Sequence, residues 1–516
     1  MSTNFLFFSS NGMPRLLVRR ILFHSNRTPR KPFRRLVIKK NGTVRPVFLP
    51  WVGHKTGGTT RSATAQNDTI SEMKHPALLG LERLRTPEEN ASRWKHGKIP
   101  AKTLSERDVE AILQPMSGTW LLLSVGHDDY TTIPGGVQVC IQREQRLTTQ
   151  AGGHYLNIHP WQPLPRMAHV EEDPDPHVVL VLDGAHIGVC RMSVLSAATK
   201  TLTDAGLRVF LTIHHLLGHS PERIAELGQS IRATNTTPNT FLWLHDFFTL
   251  CPATRLQRND LEFCGAPDLA SNACGLCVYG QERQTHLDRI KHLFAVLAPM
   301  VLAPSQGTLD LWRGAAAFRI AKSRVVPHLA LEWTPGPEIA PEPETDMAKK
   351  RIRVGFLGTA THHKGWPVFE RMSYSSQFAD RFEFVGLTAS EVELSGNRIS
   401  VNITPDHPNA MADAVRTNGI DLVLHWPNWP ETFALTAFEA LEGGAFLITN
   451  EGSGNVAATV RQLDRGAVLT DEDALFDFFD SGDATALAER ARDMRASHSV
   501  TAKPSRLSLA VFEETF

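Results

Sequence analysis

Residues 421–448 read DLVLHWPNWPETFALTAFEALEGGAFLI. Asp421-Leu422-Val423-Leu424 is a short apolar strand. A loop of aromatic and proline residues leads to Glu431, and an apolar helix over 433–442 begins directly after it. Gly443-Gly444 ends that helix, and Ala445-Phe446-Leu447-Ile448 is the next strand. Strands that are apolar throughout and separated by helices predict a parallel sheet covered on both faces. Seven residues separate Glu431 from Glu439, and the segment between them is almost wholly apolar. Two acids joined by such a segment predict a ligand rich in hydroxyls at the mouth of the sheet. The free N–H groups at the start of the helix favour an anion there.

The alternation extends outward on both sides. Ile352-Arg353-Val354-Gly355-Phe356-Leu357 is a strand ending in Gly358, with Lys364-Gly365 a few residues on. Strands at 382–385 and 400–402 and helices near 408–417 and 453–462 complete this half. Upstream, Trp120–Val125 reads as a buried strand, and Gly135-Gly136 opens a helix running to about 150. Further strands are expected at 155–158, 178–182, 209–213, 241–244 and 300–302, with helices at 192–206 and at Pro221–Ile231, the latter capped by Ser220. Prolines 335, 337, 341 and 343 mark a linker. Two open parallel sheets joined by a linker bind ligands where their strand C-termini face each other.

The expected domains are therefore a basic, partly disordered extension over 1–115, an N-terminal Rossmann-like domain over 116–328 and a linker over 329–350. A C-terminal Rossmann-like domain over 351–490 follows, then a helix over 491–516 packing back on the N-terminal domain. Net charge is zero over the 516 residues, but eleven Lys or Arg and no acid precede residue 50. The basic charge belongs to the arm, which predicts a solvated segment or a contact with anionic lipid. It has no aromatic–basic module of the kind that binds RNA, so no nucleic acid is expected. No apolar run is long enough to span a bilayer, and the arginines follow Phe5–Phe8, the reverse of a secretory signal. The reading is a cytoplasmic chain, peripheral to the inner face of a membrane if the arm binds lipid.

Several side chains at strand ends carry chemistry. Lys364, after strand 352–357, offers a point charge to a phosphate. Glu431 accepts hydrogen bonds from sugar hydroxyls, and Glu439 meets a ribose diol. His245 and Asp246 follow strand 241–244, where a histidine orients a reacting hydroxyl. His214, His215 and His219 cluster at another strand end, where contacts to an acceptor or to the facing domain are favoured over a metal. Cys251, Cys264, Cys274 and Cys277 fall in one short segment. In a reducing compartment they predict structural zinc, with free thiols and a redox role as alternatives.

Together these motifs resemble the retaining GT-B glycosyltransferases of the group-1, or family-4, class, over residues 118–516. Glu431 and Glu439 with Gly443-Gly444 look like its paired-glutamate signature, and Lys364-Gly365 like its donor loop. Gly135-Gly136 and Pro304-Ser305 resemble its N-terminal-domain motifs. The segment from His245 to Pro252, with its later cysteines, resembles a bacterial subset that builds surface polysaccharides. The resemblance implies Lys364 on the donor diphosphate, together with Gly358, and Glu431 on the donor sugar, with the amides of Thr432 and Phe433 near the phosphates. It implies Glu439 on the ribose, His245 near the transferred sugar, and Gly135, Gly136 and Asp246 on the acceptor or phosphate side.

One departure stands out. The family often places an arginine after the donor-loop glycine, and here that residue is Thr359. The implied reaction transfers a sugar from a nucleotide-sugar to a hydroxyl of a glycan or lipid-linked acceptor with retention of configuration. No catalytic metal is expected. The alternatives are a sugar-nucleotide epimerase or hydrolase on the same fold, and a non-catalytic glycan-binding assembly subunit.

Overall fold

Strand β1 (Trp120–Val125) is buried from Leu121 onward and sits inside an eight-stranded sheet. It pairs in parallel with β2 (His154–Pro160) on one side and β5 (Arg208–Ile213) on the other. Beyond β5 lie β6 (Thr240–Trp243), β7 (Met300–Ala303) and β8 (Lys322–Val325), all parallel. Beyond β2 the sheet ends in an antiparallel hairpin, β3 (His177–Leu182) and β4 (Ala185–Arg191). The sequence pattern predicts only β3. Gly188 and the exposed Ala185 and His186 break the apolar run that marks a buried strand. The computed structural model describes residues 102–116, 119–133, 135–231, 239–335, 351–404 and 407–512, with two short paired strands, Val37–Ile38 and Val44–Arg45.

The chain divides into Met1–Glu82 and Arg83–Phe516. The expected lipid contact of the basic arm lies outside the described residues. The N-terminal domain begins earlier than position 116. Helix α1 (Glu106–Leu113) is fixed by a capping box between Ser105 and Asp108. It buries Val109 and Leu113 in the core with Leu121 and Leu123. Leu104 N–H bonds the carbonyl of Val189 at 2.8 Å, so this stretch also flanks the hairpin. Helices α2 (Gly136–Gln150), α3 (Met192–Asp204) and α4 (Pro221–Ser230) cover the sheet, and the Ser220 hydroxyl caps α4 as expected. The long helix α5 (Gly280–Leu297) buries Leu287, Ile290, Leu293 and Phe294, and α6 (Gln306–Ala315) follows β7.

The second sheet is built from β10 (Ile352–Leu357), β11 (Phe382–Leu387), β12 (Asn397–Ile399), β13 (Leu422–Leu424), β14 (Phe446–Asn450) and β15 (Gly466–Leu469). All six are parallel, in the order β12-β11-β10-β13-β14-β15. Between and after them come α7 (Trp366–Ser373), α8 (Ala410–Thr417), α9 (Leu435–Glu442), α10 (Asn455–Leu463), α11 (Glu472–Ser481) and α12 (Asp483–Ser497). The loops after β6 and β13 meet where the Thr432 hydroxyl donates to the His245 carbonyl, so the C-terminal ends of the two sheets face each other. Asp421, 3% exposed at its side chain, accepts from Arg492 and Arg495 and holds α12 on this sheet.

The chain segments at the domain junction differ from the expected linker and terminal helix. Leu329–Pro335 is a strand, β9, paired antiparallel with His498–Pro504, here β16. Val500 and Thr501 are β-branched and Pro504 cannot continue a helix, so α12 gives way to extended chain. The terminus does return to the N-terminal domain. Leu507, Leu509 and Val511 bury against Leu122, Tyr155 and Val179, and a short helix spans Leu509–Phe512. Among the described residues no helix is long and apolar enough to cross a membrane.

Candidate active site between the two domains

Glu431 lies outside helix α9, which begins at Leu435, two residues later than the sequence predicts. The backbone before it is drawn into other bonds. Glu431 forms a bridge with Gly454, and its carbonyl accepts from Asn455 N–H at 3.0 Å. Gly454 has φ +65°, and a Cβ there would stand 2.7 Å from that carbonyl, so glycine is required. The carbonyl of Thr432 accepts from Ser305 Oγ at 3.0 Å and Thr308 Oγ1 at 3.3 Å, across from the other domain. These bonds hold 431–433 outside the helix. The free amides of α9 therefore belong to Leu435 and the residues after it, and Thr432 and Phe433 precede them. Ser305 itself caps α6, as the Pro-Ser motif predicts.

The Glu431 side chain is 6% exposed. Its Oε1 lies 3.8 Å from Lys364 Nζ and 3.9 Å from His425 Nε2, and neither atom reaches hydrogen-bond range. Burial pushes the His425 imidazole down to about 4, so Glu431 faces a neutral ring. Gly365, at φ +84°, lets the Lys364 turn press against the exit of β13. A Cβ on Gly365 would stand 2.0 Å from the carbonyl of Trp426. Gly358, at φ +89°, ends β10 beside Thr436 of α9. The structure thus brings Gly358, Lys364 and Glu431 to one place.

Glu439 is partly buried, with Oε2 enclosed and unpartnered. Burial raises its carboxyl to about 7, against smaller opposing effects of Arg143 and Lys364. Arg143 comes from α2 of the facing domain, and its Nη1 is enclosed without a hydrogen-bond partner among the described residues. Its charge also acts on His328, whose ring lies 5.0 Å from Phe433. Phe433 in turn stacks 4.4 Å from Phe438. Buried polar groups almost always find partners. Here Glu431 Oε1, His425 Nε2, Glu439 Oε2, Thr436 Oγ1, His328 Nδ1 and Arg143 Nη1 do not. Arg143, His328 and His425 were not singled out in the sequence. Nothing local in the sequence marks Arg143, since a charged residue inside a helix is ordinarily solvated.

His245 follows β6 and is partly exposed, and its carbonyl accepts from Thr432 Oγ1 at 2.5 Å. Its Nε2 lies 2.9 Å from His214 Nδ1, and His214 Nε2 lies 2.8 Å from Glu144 Oε2. Burial pushes the His245 imidazole well below its ordinary range, helped by the neighbouring histidines. Asp246 turns to His215 Nε2 at 2.9 Å and accepts from Phe248 N–H at 2.8 Å. His219 Nε2 bonds the carbonyl of Gly126 at 2.7 Å. Gly135 precedes α2, where a Cβ would meet Gln138, while Gly136 is open around its Cα.

Cys251, Cys264, Cys274 and Cys277 line one cavity of about 20 Å³. Cys264 donates to the carbonyl of Leu256 at 3.1 Å, and Arg283 Nη1 donates to Cys274 Sγ at 3.0 Å. Among the described residues, the only three ligand atoms within 4.8 Å of one another belong to Cys140, His245 and His328. The four sulfurs would therefore have to turn inward to share an ion. Burial pushes the thiols of Cys140 and Cys251 alike up to about 12, which opposes the thiolate that a metal needs at either place.

No protein-family model and no curated protein matches the chain. Solved structures are similar at low identity. A sucrose-phosphate synthase from Thermosynechococcus elongatus shares 12% identity, covering 73% of this chain and 94% of that one, with a TM-score of 0.43. The Anabaena HepE protein, in complex with UDP and glucose, shares 15% over 73% and 94%, with a TM-score of 0.40. A glycosyltransferase from Rickettsia africae shares 12% over 73% and 93%, with a TM-score of 0.42. These likenesses are weak, and the functional reading rests on the residues and distances of this chain.

Proposed function

We propose that the protein is a glycosyltransferase that moves a sugar from a nucleotide-sugar to a hydroxyl of a glycan or lipid-linked acceptor, with retention, in surface polysaccharide synthesis. The observation that carries this reading is the approach of Lys364 to Glu431, with Glu439 within the field of Lys364 and Arg143 and with buried polar atoms of Glu431, Glu439 and Arg143 unpartnered. Lys364 and Arg143 supply positive charge for a diphosphate. Glu431 accepts from hydroxyls of the donor sugar, and Glu439 from the ribose diol. The Thr432 hydroxyl on the His245 carbonyl ties the two faces together.

In the proposed reaction the bond from the anomeric carbon to the phosphate oxygen breaks, and a bond to the acceptor oxygen forms on the same face. The acceptor proton passes to the leaving diphosphate. No protein nucleophile is needed. Rate acceleration comes from placement of the two substrates and from fixed charge at the leaving group. Structural zinc on Cys251, Cys264, Cys274 and Cys277 belongs to the proposal. Zinc with four thiolates would carry negative charge. The buried Arg283, which bonds two carbonyls and Cys274 Sγ, would offset it.

A thermal-shift panel of UDP, GDP and ADP and their sugar conjugates tests the reading. A ligand that binds only the folded state raises stability by RT ln(1 + [L]/Kd). At least one nucleoside diphosphate should shift the transition, and the matching nucleotide-sugar should be consumed when an acceptor is supplied. Release of free sugar at the same rate without acceptor would favour a hydrolase instead.

A further inference from the structure

Glu144 lies on α2 and is 0% exposed. Its carboxyl accepts from Tyr155 Oη at 3.0 Å, from the Ser508 N–H at 3.3 Å and from His214 at 2.8 Å. Burial alone pushes such a group up. Three donors converge on the carboxyl, and against the effect of burial the net shift is downward, so Glu144 is a carboxylate. A carboxylate only accepts. His214 must therefore carry a proton on Nε2, and with that ring uncharged its Nδ1 is a lone pair, whereas a charged ring would donate from Nδ1 and reverse the His245 tautomer. That lone pair faces His245 Nε2 at 2.9 Å, so His245 carries its proton on Nε2 as well. The planes of the two rings are 13° apart and their centroids 5.2 Å apart, the geometry of an in-plane N–H···N bond. Exposure rises along the chain of three, from the enclosed Glu144 and His214 to the partly exposed His245.

We infer that Glu144 and His214 are positioning residues that lock His245 in the Nε2–H tautomer and leave its Nδ1 as a hydrogen-bond acceptor. In that state the imidazole can receive a hydroxyl proton of a sugar or acceptor and cannot donate to an oxygen. Both ends of the relay are fixed by the fold. Ser508 belongs to the returning C-terminal segment, and its hydroxyl also accepts from Trp243 Nε1 at 2.9 Å. Thr432 of the facing domain holds the His245 carbonyl. The functional role of the relay rests on the proposed placement of His245 beside the transferred sugar. Its tautomer does not, and it can be measured without turnover.

The experiment is ring nitrogen NMR at pH 8 on the full chain labelled with [15N]histidine. The His245 signal is identified by its loss in His245→Gln. The expected result is the Nε2–H pattern for both His214 and His245. In Glu144→Gln the amide oxygen stays with the Ser508 N–H, so the NH2 group faces His214 and both rings reverse to Nδ1–H. An Nδ1–H pattern for His245 in the unsubstituted protein overturns the inference. So does an unchanged His245 pattern in a folded Glu144→Gln. If that variant does not fold, Tyr155→Phe, which keeps the carboxylate, must retain Nε2–H on both rings, and a reversed His245 ring in it overturns the inference.

Turnover separates the two readings. Glu144→Gln should lower kcat by roughly tenfold or more while the Kd for UDP stays within about twofold, the range of a change remote from the diphosphate. The expected tautomers in a protein that binds no nucleoside diphosphate would sink the transferase reading and leave the relay standing.

Discussion

Lys364 Nζ stands 3.8 Å from Glu431 Oε1, and the two residues come from loops that follow different strands of the same sheet. Neither group satisfies the other. A diphosphate placed beside Lys364 would turn this loose pair into a charge-assisted contact, with Glu431 free to accept from the sugar. Lys364→Met keeps the stem and removes the charge. A hydrogen bond to a charged group contributes about 1.5–3 kcal/mol. Affinity for UDP by calorimetry should therefore fall roughly 10- to 100-fold. Unchanged affinity would remove Lys364 from the diphosphate site.

In the proposed site Arg143 takes the place, from the opposite domain, of the cation absent at Thr359. Arg143→Gln should weaken UDP binding by about tenfold or more and leave uridine binding unaffected, because only the former carries the diphosphate. The salt dependence of UDP binding should also become shallower. Equal losses for UDP and uridine would instead indicate general damage to the cleft.

Glu439 gives the site a pH dependence. Burial raises its carboxyl from the ordinary 4.5 to about 7. If the ionised form receives the ribose hydroxyls, donor affinity falls as pH drops through about 7. Glu439→Gln should bind more weakly at pH 8 and lose that inflection, while any titration of the nucleotide phosphate persists in both proteins. The stability sign is opposite. Between about 4.5 and 7 the folded protein holds a proton here that the unfolded chain does not, so this group favours folding more as pH falls across that window. A UDP affinity profile identical in the two proteins would remove Glu439 from the ribose.

Zinc on the four cysteines is open to direct measurement. Protein purified without chelator should contain about one zinc per chain by elemental analysis, the content of a single site with four thiolate ligands. Cys274→Ser should lower that content and loosen the segment after His245 to protease. Protein free of zinc that also fails to take up cobalt would remove the metal and leave four thiols around Arg283.

The β-α-β pattern of 421–448 was legible because its strands are apolar on both faces, and the paired glutamates because acids rarely flank such a segment. The hairpin strand Ala185–Arg191 was not legible, since its first residues are exposed and Gly188 interrupts it. The pairing of Leu329–Pro335 with His498–Pro504 joins positions far apart in sequence, and both strands are largely exposed, so neither reads as a buried strand. The site followed the same division. Lys364, Glu431 and Glu439 were visible as local motifs. Arg143 and Glu144 were not, because a charged residue inside a helix is ordinarily solvated, and only the fold shows that these two face the cleft and the core.

The central claim is that Lys364, Glu431 and Glu439 form a nucleotide-sugar site. Calorimetric titration of the full chain and of Glu431→Ala with UDP, GDP and ADP, followed by sugar transfer with the matching nucleotide-sugar, tests it most directly. The account predicts saturable binding of one nucleoside diphosphate by the unsubstituted protein, and transfer that is lost in a folded Glu431→Ala. Absence of binding to every nucleoside diphosphate, or near-normal transfer by Glu431→Ala, would contradict it.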